Sequence, residues 1–178
     1  MKFVNKAAVT ENESPVILKF LQKNFFSSVP TILSPEANKY LKQYLWKSDF
    51  GESDLYVDII YTPVIYHTLT GGTGEALGYN VNEYTVFLVY LNTHQSKLLP
   101  FQMEKLTLLR DAAGKEYKPT LWKVTYESGD LHHREGALVF PKVKGNRGFL
   151  ELVLRDLPGQ KERLFRWDLP ITENWLTR

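Results

Sequence analysis

From residue 55 onward the chain is a succession of short apolar runs broken by turn residues, with no helical stretch between them. That pattern leaves few folds open. Leu55 to Tyr66 is rich in Val, Ile and Tyr, and Pro63 marks it as an edge or kinked strand. Val86-Phe87-Leu88-Val89-Tyr90-Leu91 is continuously apolar, as in a central strand covered on both faces. Leu106 to Arg110 precedes a turn at Asp111-Ala112-Ala113-Gly114, and Glu116-Tyr117 begins the return. Leu121 to Glu127, Phe149 to Leu157 and Arg163 to Leu169 alternate in period two, with Leu150, Leu152 and Leu154 on one face and Phe165 and Trp167 on another. Gly136 to Phe140 is short and apolar, and Pro158-Gly159 turns the chain. About seven strands without interleaved helices give no support to parallel βαβ units. They favour a mainly β protein, an antiparallel immunoglobulin-like β-sandwich.

The first 50 residues have a different texture. Ser14-Pro15 and Ser34-Pro35-Glu36 each read as a helix start, serine as N-cap and proline in the first turn. Val16, Ile17, Phe20, Leu21 and Phe25 form one helical stripe, and Tyr40, Leu41, Tyr44 and Leu45 a second that runs to about Lys47. Asp49 to Asp54 is a polar break. The expected organisation is a small N-terminal helical element over residues 1–50 and a β-sandwich over 51–178. Thr68 to Asn82 carries Gly71, Gly72, Gly74 and Gly78 but lacks the Lys and Ser/Thr of a phosphate-binding loop, so it reads as a surface loop. Trp175 and Leu176 give the tail an apolar segment that can fold back.

Composition removes several function classes. Of 178 residues, 43% are hydrophobic, enough for a sizeable core. The 22 basic and 20 acidic residues leave a net charge of +2, which gives no electrostatic case for nucleic acid. There is no cysteine, so disulfides, thiolate metal sites and thiol catalysis are excluded. No apolar run approaches the roughly 20 residues of a transmembrane helix. Met1 to Lys6 is not followed by an apolar signal core.

A resemblance enters with a set of strand signatures. Phe87 to Ser96, with Asn92-Thr93-His94, is followed by Leu108-Leu109-Arg110-Asp111, Gly114, Pro119 and Trp122. Then come His132-His133-Arg134-Glu135-Gly136, Leu138, Phe140-Pro141 and Glu162 to Trp167. Over residues 55–170 the chain resembles a family of uncharacterised bacterial and archaeal exported β-sandwich domains with Thr-His and His-His strand-end motifs. The resemblance implies an exported, periplasmic, extracellular or lipoprotein-like β-domain, and implies no activity.

Chemistry concentrates at the histidines. Three of the four fall in Thr93-His94 and His132-His133, both at strand ends. Thr93, His94, His132, His133 and Arg134 are the expected ligand-binding residues. His94, His132 and His133 with Asp130, or with Glu135, form a candidate oxygen- and nitrogen-rich site for zinc or copper(II). Adjacent histidines in a regular strand point to opposite faces, so that site needs a turn at Gly129-Asp130. His67 reads as a surface strand residue. For hydrolysis, Thr93, Ser96 or Ser128 would be the nucleophile and Asp130 the orienting acid, but no Gly-x-Ser-x-Gly elbow is present. Tyr56, Tyr61, Tyr66, Tyr79 and Tyr84 are expected either as half-buried strand residues or as a surface for a protein or glycan. The residues therefore favour, first, a non-catalytic binding or structural module of the cell envelope that meets a protein or small ligand through its strand-end loops. A metal-binding domain comes second and a hydrolase third.

Overall fold

The chain's helix signal at Ser34 acts where it stands. In the computed structural model, which describes residues 33–50, 53–71, 79–145 and 147–172, the Ser34 side chain accepts the Ala37 amide at 3.1 Å. Pro35 needs no such partner and starts α1 (Pro35–Tyr40). A wider π turn, Leu41–Leu45, continues it. Ala37, Tyr40, Leu41 and Leu45 form its buried stripe. The helix stops at Leu45 because Trp46 turns extended and opens β1 (Trp46–Phe50) without a loop. Residues expected as a helix end and a polar break are thus partly a strand. The helix expected after Ser14, residues 72–78 of the glycine-rich loop and the tail at Trp175-Leu176 lie outside the described residues.

Two antiparallel sheets share one core. The first has five strands in the order β1, β2 (Tyr56–Tyr61), β3 (Tyr84–Asn92), β7 (His133–Pro141) and β6 (Leu121–Glu127). The second has four, in the order β5 (Glu116–Tyr117), β4 (Thr107–Asp111), β8 (Gly148–Leu157) and β9 (Gln160–Leu169). Alternation sends Val57, Ile59, Phe87, Val89, Leu91, Leu138 and Phe140 of the first sheet inward. They meet Leu109, Leu150, Leu152, Leu154, Phe165 and Trp167 of the second. The expectation of an antiparallel sandwich is met at this level. The glycine turns fall as read, with Gly114 at φ +79° between β4 and β5 and Gly159 at φ +90° between β8 and β9.

Pro63 plays a different part from the one expected. It does not lie in an edge strand: β2 ends at Tyr61 and is flanked by β1 and β3. Pro63 instead precedes α2 (Val64–Thr70), which closes on Gly71 at φ +67°. Ile65, Tyr66, His67, Leu69 and Thr70 of this helix are buried. His67 is therefore a buried helix residue, not a surface strand residue. Burial holds its imidazole pKa below the ordinary value, against the Thr62 backbone. A short turn, α3 (Met103–Leu106), leads into β4. No helix among the described residues is long and apolar enough to cross a membrane.

Candidate functional site

Antiparallel pairing of β3 with β7 sets Asn92 opposite His133, so the two histidine segments do meet. Beyond the strand ends the pairing continues through the loops. The Thr93 amide donates to the His132 carbonyl at 2.9 Å, and the Leu98 amide to the Leu131 carbonyl at 2.8 Å. On the face of this sheet that turns away from the core, His133 Nδ1 lies 2.8 Å from Asn92 Oδ1. An amide oxygen only accepts, so Nδ1 donates here.

The turn carrying His94 is held by one carboxylate. Asp54 accepts the amides of His94 at 3.0 Å, Gln95 at 2.6 Å and Ser96 at 3.0 Å. Ser96 Oγ adds a further bond at 3.2 Å. The Gln95 amide foremost, then those of His94 and Ser96, hold the Asp54 carboxyl below its usual range, against desolvation. The imidazole of His94 is exposed and sits edge-on to Tyr56, with ring centroids 5.0 Å apart.

The second loop is built the same way. Ser128 Oγ donates to Asp130 at 2.5 Å and accepts the amides of His132 and His133 at 3.1 and 3.0 Å. The Ser128 hydroxyl, then the His132 amide, lowers the Asp130 pKa. His132 Nδ1 stands 3.6 Å from Asp130. Leu131, at φ +61°, supplies the bend that takes the chain out of regular strand geometry.

Chemically this arrangement disfavours a nucleophile. Thr93 Oγ1 donates to the Ser96 carbonyl, Ser96 Oγ to Asp54 and Ser128 Oγ to Asp130. Each hydroxyl proton already points at an oxygen, and none is shared with an imidazole as general-base activation requires. Nor do His94, His132, His133 and Asp130 gather around one point: among the described residues no three His, Asp or Glu side chains form a group able to hold a metal ion. Glu135, the other carboxylate considered, is buried on β7 opposite Tyr90 rather than in the loop.

Arg134 also lies elsewhere than a ligand contact would need. Its register partner is the core residue Leu91, and it is 6% exposed. It binds the Glu127 carboxylate and the Leu99 carbonyl, tying β6 and the loop after His94 to β7. The tyrosines divide as well. Tyr61 stacks on Phe87 at 5.2 Å in the core, and Tyr66 is fully buried. Tyr79 and Tyr84 pack on each other at the opposite end of β3. Only Tyr56 of the five reaches the histidine end. Sequence reasoning missed Asp54, Asn92 and Phe50. Phe50 is 80% exposed and is paired with Tyr56 on the outward face. No family model, curated protein or solved structure matches this chain.

Proposed function

We propose that the protein is a non-catalytic binding module which recognises its ligand through the loops Thr93–Ser96 and Ser128–His133. The observation that carries this is Asp54: one carboxylate accepting three successive amides fixes a turn whose imidazole remains exposed. Spending a charged group on loop rigidity lowers the ordering cost of binding. It does nothing for bond making, and the neighbouring hydroxyls are committed to the same scaffold. Immunoglobulin-like sandwiches present binding loops at their strand ends, and this protein is taken to work in that manner. The resemblance of residues 55–170 to exported domains is what supports a setting in the cell envelope. The test is amide chemical-shift mapping against libraries of oligosaccharides, peptides and small molecules. A ligand should move residues 92–96 and 131–134 together and lose about tenfold in affinity in His94→Ala. Turnover of any substrate that disappears in His94→Ala or His133→Ala would overturn the proposal.

A further inference from the structure

The outward face at this end of the sheet carries an unusual row. Register pairs Phe50 with Tyr56, Tyr56 with Asn92 and Asn92 with His133, so four strands contribute one planar side chain each. His94 adds a fifth against Tyr56. With strands about 4.8 Å apart, the row extends roughly 14 Å across the sheet.

No Lys, Arg, Asp or Glu belongs to the row, and among the described residues the acids around it are engaged or, like Glu135, buried. Asp54 is held by backbone amides, and Asp58 by Trp46 Nε1 at 2.9 Å and by Ser48 Oγ. Asp49 pairs with Arg163, Glu127 with Arg134, and Asp130 with Ser128. An ionic ligand would find no permanent counter-charge in the row. What it offers is ring faces and edges beside the imidazoles of His133 and His94.

On that basis, and resting on the binding-module proposal, we infer that the occupant is an uncharged oligosaccharide or polysaccharide lying across β1, β2, β3 and β7. A pyranose has apolar C–H faces and a rim of hydroxyls, so it can stack on Phe50 and Tyr56 while its rim meets the imidazoles of His133 and His94, with Asn92 buried beneath and bonded to His133. A β-1,4-linked chain presents such a ring at every residue and stays extended, which suits a sheet face. A small aromatic molecule needs a concave site to bury it.

The experiment titrates the whole chain with a neutral β-1,4-glucose hexasaccharide, a uronic acid hexamer and an uncharged hexapeptide, followed by amide shift mapping. The hexasaccharide is expected to bind with shifts centred on residues 50, 56, 92–94 and 133. Phe50→Leu and Tyr56→Leu, which keep apolar bulk, should each weaken it about threefold to tenfold. Thermal unfolding of both variants, near that of the parent, separates lost stacking from lost folding. The inference is overturned if the hexasaccharide does not bind, or binds equally well in both variants. If the uronate moves the row instead, the requirement for an uncharged chain fails; if the peptide does, the carbohydrate class fails; in both cases the binding face stands. If none of the probes moves these residues, both the class and the face lose their support.

Discussion

Asp54 and Asp58 lie on the same short stretch of chain, yet their carboxyls shift in opposite directions. Asp54 is held below its ordinary value chiefly by the Gln95 amide. Asp58, on the outward face of β2, is raised because burial outweighs its bonds from Ser48 and Trp46. The signs of the stability effects follow. A depressed folded pKa contributes stability above the unfolded value, near 3.9, and loses it as pH falls through the folded value. A raised folded pKa works the other way: between the unfolded and folded values the native state binds more protons, and stability falls as pH rises. Asp54→Ala should therefore speed hydrogen exchange at His94, Gln95 and Ser96 at neutral pH, and the parent should approach the variant under strong acid. Asp58→Asn keeps an acceptor for Trp46 Nε1 and removes the charge. It should leave stability at pH 7 unchanged or higher and flatten its rise on acidification. A variant that unfolds at neutral pH would show that Asp58 is needed as an anion.

At the scale of elements, β7 is the strand on which the first sheet turns, and Gly136 is its closest contact. A Cβ there would stand 2.6 Å from the Lys123 carbonyl and closer still to the Trp122 ring. The carbonyl belongs to the paired strand β6 and cannot yield without breaking the ladder. Gly136→Ala should cost about 1–3 kcal/mol in urea unfolding. Trp122→Leu should recover part of that loss, and strict additivity of the two changes would contradict the contact. Such elements differ in how far the chain announces them. The inward Leu150, Leu152 and Leu154 and the continuous run of β3 were legible because burial follows period two directly. Strand β1 was not, since Lys47, Ser48 and Asp49 carry no apolar alternation and its pairing with β2 decides it. Helix α2 was misread for the reverse reason: Val64, Ile65 and Tyr66 prefer strands, and Pro63 and Gly71 were the better signals. The meeting of His94 with His132-His133 could be anticipated from two strand ends. That they form no metal-holding group among the described residues could not, because the bond of His133 to Asn92 depends on the register of β3 with β7.

For the whole molecule the question is what closes two sheets along an edge. β1 borders the first sheet and β9 the second, and they are joined by an ion pair, Arg163 Nε to Asp49 at 2.9 Å. Trp167 Nε1 reinforces the seam by donating to the Leu45 carbonyl at 2.8 Å. The Arg163 side chain is 1% exposed and also bonds the carbonyls of Leu157 and Pro158, so this pocket takes the place of water around the guanidinium. Asp49 keeps 22% exposure, which lowers the cost of losing it below that of a fully buried partner. Asp49→Ala should destabilise by about 2–3 kcal/mol, by leaving a guanidinium with carbonyls alone. Arg163→Met, which fills similar volume without charge, should cost less in the Asp49→Ala background than in the parent. Arg155 and Glu162 make an ion pair of similar length, 3.0 Å, but both are over 40% exposed. Glu162→Ala should therefore change stability by no more than about 0.5 kcal/mol. Salt separates the two pairs further, because 1 M NaCl screens the exposed one and barely reaches the seam. Equal salt sensitivity, or an additive Asp49/Arg163 cycle, would mean that core packing and the Trp167–Leu45 bond hold β1 to β9 without the ion pair.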